Sequence, residues 1–144
     1  MASWRATASQ QAQDELDDLM NRAFPFAQQM LATHGEFFPY AVGLGQSGEL
    51  RMFAADAGGD DHPPSTEVLQ ELVDGLRSER DALRAVAVTS DVRISDSDAI
   101  RVELEHRDGI AIAVMLRYRS LNGNGDIEYG ALSAGPGEAQ IWAP

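Results

Sequence analysis

The sequence contains no cysteine and no lysine. Without thiols, the chain cannot form a disulfide scaffold, a zinc site built from thiolates or a cysteine nucleophile. All 11 basic residues are therefore arginines, and they are scattered singly among acidic residues. The sequence has no basic patch with which to bind nucleic acid.

The charge balance is strongly acidic. The 23 acidic residues outnumber the 11 basic ones and give a formal net charge of -12. Such a chain repels a phosphate backbone, which argues against nucleic-acid binding and favours basic proteins as partners. The sequence also lacks a basic leader followed by an apolar run, and a continuous apolar run of about 18 residues. We therefore expect a cytoplasmic protein that does not bind membranes.

The length and composition predict one domain. The 144 residues, 44% of them hydrophobic, are enough to build a core, and residues 1–8 are expected to form a flexible tail.

Apolar residues recur at helical spacing over residues 9–33, with Thr7 and Gln10 as a capping box and Gly35 as the C-terminal cap. Pro25 predicts a kink or a break, and the kink is favoured because the apolar stripe continues past it. A second amphipathic helix is predicted over residues 66–80, after an N-cap at Ser65.

Alternating apolar residues predict six strands. Two of them, over residues 41–44 and 49–54, form a hairpin around Gln46, Ser47 and Gly48. The other four cover residues 83–89, 99–106, 110–118 and 127–132, with an extension of the first to residue 94 left open. The predicted fold is a two-layer α+β domain of order α-β-β-α-β-β-β-β, with both helices on one face of a mainly antiparallel sheet.

The turn at Gly109 fixes the register of one hairpin. A two-residue turn would place Glu105 opposite Ile112 and mix charged with aliphatic side chains. A three-residue loop with Gly109 in a left-handed bulge instead pairs His106 with Ile110 and Leu104 with Ile112, and one face becomes uniformly apolar. The sequence therefore predicts the three-residue loop.

Several separated stretches resemble a family of small uncharacterised bacterial proteins. They include His34 to Tyr40, Gly48 to Leu50, Ser90 to Arg93 and, as the strongest, Ala99 to Gly109. Tyr118-Arg119, Glu128 to Gly130 and the segment from Gly135 to Trp142 continue the likeness, so that it covers most of the chain after the first helix. The resemblance implies one compact domain but no activity, and the loop over residues 56–64 is longer than the family pattern.

Two loops carry oxygen ligands without a complete metal motif. Asp56, Asp60, Asp61 and His62 offer carboxylates and one imidazole, but their spacing matches no EF-hand, so we interpret the loop as an approach to the second helix. Whether it binds a cation stays open. The run from Asn122 to Glu128 lacks the glutamate that an EF-hand has at its twelfth position and is interpreted as a glycine-rich hairpin turn. No metal and no cofactor are predicted.

The second face of the predicted sheet is the main candidate for partner binding. It places small apolar side chains beside charged ones, which is typical of a surface that contacts another chain, although small residues facing solvent explain it equally well. The partner-contact candidates are Arg101, Glu103, Glu105, Ala111, Ala113, Met115 and Arg117. The expected partner is a second copy of the chain or another protein.

Two classes of function remain. The first is a non-catalytic interaction protein, either a homodimer or an acidic protein that binds a basic partner, for example an immunity protein that neutralises a toxin. The second is a small-ligand binder or an enzyme with a pocket between the helices and the sheet, lined by His34, Glu36, Tyr40 and Tyr129. The first is favoured because the spacing assembles no nucleophile, base and orienting group.

Overall fold

The computed structural model describes residues 4–54, 65–121 and 126–142. These residues form an α+β fold, as predicted. In chain order its elements are η1 (Trp4–Ala6), α1 (Gln10–His34), β1 (Tyr40–Gly45), β2 (Leu50–Ala54), α2 (Ser65–Glu79), η2 (Arg80–Ala82), β3 (Leu83–Ile94), β4 (Ser97–His106), β5 (Ile110–Leu121) and β6 (Asp126–Pro136). The two short 3-10 helices, η1 and η2, have no counterpart in the predicted order.

Helix α1 begins and ends at identifiable caps. The Ser9 hydroxyl accepts a hydrogen bond from the Ala12 N–H at 3.1 Å, so the predicted capping box of Thr7 and Gln10 is wrong. Gly35 adopts a left-handed conformation (φ 75°) and donates its N–H to the Leu31 carbonyl, as predicted. The helix continues through Pro25, which excludes the predicted alternative of a break.

All six strands form one antiparallel sheet in the order β2-β1-β3-β4-β5-β6. The predicted register of the β4–β5 hairpin is confirmed, because His106 pairs with Ile110 and Leu104 with Ile112. Gly109 has a φ of 94° and donates its N–H to the His106 carbonyl at 3.0 Å, which is the predicted left-handed bulge.

The two helices pack on opposite faces of the sheet, so the prediction that both lie on one face is wrong. Ala85 and Ala87 of β3 belong to the apolar cluster that contains the buried side chains of α1. Val86 and Val88 belong to a second cluster, which contains Val68, Leu72, Val73 and Leu76 of α2. Because successive side chains of a strand point to opposite faces, the sheet is the middle of three layers.

The sequence contains the signal for this arrangement. Residues 85–88 of β3 are apolar at every position, and all four are buried. A continuous apolar run is the pattern of a strand that is covered on both faces, whereas the prediction treated it as an alternating strand with one open face. The second helix therefore covers the face that was expected to be exposed.

The N-terminal residues 4–8 lie along α1. The Arg5 guanidinium forms two hydrogen bonds with the Asp17 carboxylate, at 2.6 and 3.0 Å, and the Gln13 side-chain amide donates to the carbonyls of Arg5 and Ala8. The sequence predicted that this segment forms a flexible tail.

Both loops considered as metal sites lie largely outside the described residues, in 55–64 and 122–125.

Candidate functional site

The partner-contact candidates lie on β4 and β5, on the face that α2 covers in part. The hairpin places Arg101 opposite Met115, Glu103 opposite Ala113 and Glu105 opposite Ala111. The register thus brings the predicted charged and small residues together as expected. What covers them differs from the expectation, because the end of the chain folds back over this face.

Residues 137–142, here called the C-terminal strap, cross the sheet from β6 to β4. The Gly137 N–H donates to the Ala111 carbonyl at 3.1 Å. The buried Glu105 carboxylate then accepts the N–H groups of Gln140, Ile141 and Trp142, at 2.7 to 3.0 Å. Glu105 and Ala113 are therefore buried, and neither lies on an open surface.

Two arginines hold the strap from the other side. Arg77 of α2 donates to the Gln140 carbonyl, and Arg80 of η2 donates to the Ile141 carbonyl at 3.1 Å. The Ile141 side chain is 1% exposed and packs into the apolar cluster under α2. The strap thus completes the second core and fills the cleft between α2 and β4.

The remaining candidates form a smaller surface next to β6. Arg101 and Glu103 form an ion pair at 3.0 Å, and the buried Nε of Arg101 has no hydrogen-bond partner among the described residues. Met115 is half-buried and Arg117 is exposed. Met115 pairs with Ser133 of β6, so this surface continues onto the edge of the sheet.

The second half of strand β6 presents an exposed and uncharged edge. Residues 130–136 read Gly-Ala-Leu-Ser-Ala-Gly-Pro, and all seven are exposed on both faces. Leu132 is 61% exposed, more than the other large apolar residues that the structure leaves accessible. Within the described residues, no strand pairs with the outer side of β6. Natural sheets protect such edges with charges, bulges or a covering element, or use them for association.

The hydrogen-bond pattern shows which groups face this edge. Because the Gly137 N–H bonds to the Ala111 carbonyl, alternation along the antiparallel pair directs the N–H and C=O groups of Gly135 and Ser133 towards β5. The groups of Leu132 and Ala134 then point outwards. Pro136, which has no N–H, also falls at an outward position, where a proline costs the sheet no bond.

Tyr40, one of the four residues predicted to line the alternative pocket, lies between α1 and the sheet. The Tyr40 side chain is buried, donates its hydroxyl to the Ala23 carbonyl of α1 at 2.5 Å and packs edge-on against Phe26 and Phe37. Burial raises its pKa to about 12. His34 is exposed at the end of α1. Tyr40 therefore joins α1 to the sheet and has no hydroxyl free to orient a ligand.

The other two pocket candidates, Glu36 and Tyr129, lie near a hydrogen-bonded tyrosine–aspartate pair that the sequence did not indicate. The Tyr118 hydroxyl donates to the Asp91 carboxylate at 2.6 Å. Burial raises the pKa of Asp91. The nearby charges of Asp98 and Glu36 raise this pKa further, whereas the hydrogen bond from Tyr118 lowers it. Tyr129 is half-buried opposite Tyr118. The pairing joins residues 27 positions apart, so no local pattern could reveal it.

A second polar cluster ties α1 to the β4–β5 hairpin. The Glu15 carboxylate accepts from Arg84 at 2.6 and 3.2 Å and from the His106 Nε2 at 2.8 Å. The Asp108 N–H donates to the His106 Nδ1 at 3.1 Å, so the imidazole proton belongs on Nε2. Burial would raise the pKa of Glu15, but the bonds from Arg84 and His106 lower it overall. The His106 side chain is fully buried, which makes this cluster a structural link.

A groove, the spacing of acidic and histidine side chains and the composition of the helices bear on ligand, metal and membrane binding. An open groove of about 310 Å³ lies between α1 and the β1–β2 hairpin, lined by Asp18, Asn21, Arg22, Leu44, Gly48 and Leu50. Among the described residues, no three acidic or histidine side chains come close enough to hold a metal ion. Neither described helix has the length and apolar content needed to cross a membrane.

Comparison with models of protein families, with curated proteins and with solved structures yields no match. The resemblance to small bacterial proteins therefore stays a prediction, and the chemistry of the candidate surfaces is the basis for a function.

Proposed function

We propose that the protein is a non-catalytic interaction protein that forms a homodimer through the outer edge of β6. The observation that carries this proposal is the exposed, uncharged stretch 130–136 on a chain with a net charge of -12. Two such chains repel each other over most of their surfaces. Repulsion between like charges is smallest where the contact surface carries no charge, and residues 130–136 of β6 supply such a surface.

The outward groups of β6 define a symmetric pairing. An antiparallel pair of β6 strands related by a two-fold axis at Ser133 places Leu132 opposite Ala134 of the second copy. Both residues direct their N–H and C=O groups outwards, so each pair exchanges two hydrogen bonds. The two six-stranded sheets then join into one continuous sheet. The free backbone groups of each edge are satisfied by the other copy.

The side chains of β6 suit such an approach. Gly130, Ala131, Ser133, Ala134 and Gly135 are small, so nothing long separates the two backbones. The exposed Leu132 side chain loses contact with water when the strands pair. A standard protein interface buries about 1,200–2,000 Å² in total, and the half-buried Met115 beside the strand extends the contact surface towards that size.

A single introduced cysteine tests this pairing, because the native chain has none. At the two-fold axis, the two copies of Ser133 form a non-hydrogen-bonded pair with Cα atoms about 4.5 Å apart. That separation lies within the range of about 4.4–6.8 Å found for disulfides. We expect Ser133→Cys to form a disulfide-linked dimer under mild oxidation, visible on a non-reducing gel.

The matched control is Ser78→Cys, at an exposed serine of α2 on a different part of the molecule. It should stay monomeric on the gel at the same protein concentration. Equal cross-linking of the two variants would show random collision, and no cross-linking of Ser133→Cys would contradict the proposed pairing.

A further inference from the structure

The C-terminal strap is bound as a short peptide would be. Its contacts with Glu105, Arg77 and Arg80 all involve main-chain atoms of residues 140–142. The carboxylate collects three consecutive N–H groups, and the two guanidinium groups bond successive carbonyls. Recognition of this kind depends on the course of the backbone and tolerates many side chains.

One side chain adds selectivity. Ile141 enters the apolar cluster between α2 and the sheet, and Trp142 packs against the same cluster. Residues 139–142 read Ala-Gln-Ile-Trp and carry no charge. The cleft therefore fits an uncharged, extended segment with an aliphatic residue followed by an aromatic one.

The strap is held in the cleft by a few specific contacts of residues 140–142. It has no helical or strand structure, and it lies at the end of the described chain. Segments with few regular hydrogen bonds open locally at a lower free energy than the core. The strap leaves β6 at Gly137, where an added Cβ would lie 2.9 Å from the backbone of Ile112. The entry of the strap into the cleft therefore depends on this glycine.

We propose that the cleft between α2 and β4 is a binding site for an uncharged aliphatic-aromatic segment of another protein, and that the chain's own strap occupies it in the absence of that partner. The proposal is independent of the β6 dimer. Because the strap competes in cis, the apparent affinity for an added segment equals the intrinsic affinity multiplied by the fraction of molecules in which the cleft is open.

The probe is a fluorescently labelled synthetic peptide with the sequence of residues 137–144, titrated into the full chain and followed by fluorescence polarisation. We expect Gly137→Ala to displace the strap, because the added Cβ would lie 2.9 Å from the backbone of Ile112, and the variant changes no residue of the cleft. Gln140→Pro removes one N–H that Glu105 accepts, and it serves if the first variant folds poorly. We expect both variants to bind the peptide about tenfold or more tightly than the native chain does.

Two controls test the assignment to the cleft. A peptide with Ile141→Asp should bind at least about tenfold more weakly, because a charge would enter an apolar cluster. Adding Arg80→Ala to Gly137→Ala should also weaken binding, because the Ile141 carbonyl loses its donor. Binding of the Ile141→Asp peptide as tightly as the native sequence would overturn the proposal. Equal affinity of the native chain and both strap variants would do so too.

The alternative occupant of the cleft is the strap of a second copy of the chain. If Gly137→Ala associates into a larger species than the native chain forms, and the unlabelled peptide reverses this association, the cleft receives that strap and the assignment to another protein is wrong. An unchanged oligomeric state together with tight peptide binding supports the proposal.

Discussion

Glu15 links α1 to the sheet, and its replacement by alanine gives the sharpest test of how the layers are joined. The carboxylate bonds Arg84 of β3 and His106 of β4, and its side chain is only 14% exposed. Glu15→Ala removes both bonds at once. It leaves the Nε2–H of His106 without an acceptor in a fully buried position.

The magnitude follows from these contacts. A buried donor left without a partner costs about 1–3 kcal/mol. Arg84 is 24% exposed and can turn to water, so its loss adds less than the 3–5 kcal/mol found when a fully buried ion pair is broken. We expect Glu15→Ala to lower the free energy of unfolding by about 2–4 kcal/mol at pH 7.

The effect should depend on pH with a defined sign. The folded state lowers the pKa of Glu15 below its ordinary value of 4.5. The stabilisation is therefore present above pH 4.5 and is lost as the pH falls through the folded-state pKa. The difference between the native chain and Glu15→Ala should shrink in acid.

Urea unfolding followed by circular dichroism at a fixed protein concentration measures this difference. The control is Glu128→Ala, which removes an exposed carboxylate paired with Arg119. Because both members of this ion pair are more than half exposed, Glu128→Ala should lower the free energy of unfolding by less than about 1 kcal/mol. A cost for Glu15→Ala that equals the control, or that stays constant between pH 7 and acid, would refute the reasoning.

Two further predictions concern backbone conformation and a half-buried acid, both measured by urea unfolding. Gly109→Ala should destabilise the fold by about 1–2 kcal/mol because of its positive φ, whereas Gly75→Ala within α2, with open space around it, should stabilise it by about 0.5–1 kcal/mol. Equal effects would contradict the bulge. The raised pKa of Asp91 means that its ionisation opposes folding as the pH rises above 3.8. Asp91→Asn, which keeps an acceptor for Tyr118, should therefore retain full stability at pH 7, and a loss above about 1 kcal/mol would contradict this account.

Local patterns predicted much of the fold. The left-handed glycine and the apolar pairing fixed the β4–β5 register, because a shift by one residue would have exposed several aliphatic side chains. The C-terminal cap at Gly35 followed from the same kind of local rule. The face covered by α2 did not follow, because a helix with an apolar stripe can pack on either side of a sheet.

The candidate site was harder to predict than the fold. Glu105 alternates with apolar residues and has the pattern of a solvent-facing residue, yet its partners are main-chain N–H groups 35 to 37 positions further along the chain. Main-chain donors leave no signature in the sequence. The extension of β6 to Pro136 was missed because its glycines and alanines lack the alternation by which strands are recognised.

Light scattering coupled to size exclusion tests the central proposal most directly, with the native chain compared with Leu132→Asp and Leu50→Asp. Leu132 lies on edge strand β6 and Leu50 on edge strand β2, and both are exposed. We expect the native chain and Leu50→Asp to have twice the mass of one chain, and Leu132→Asp to have the mass of one. A monomeric native chain, or a dimer that persists in Leu132→Asp, would contradict association through β6.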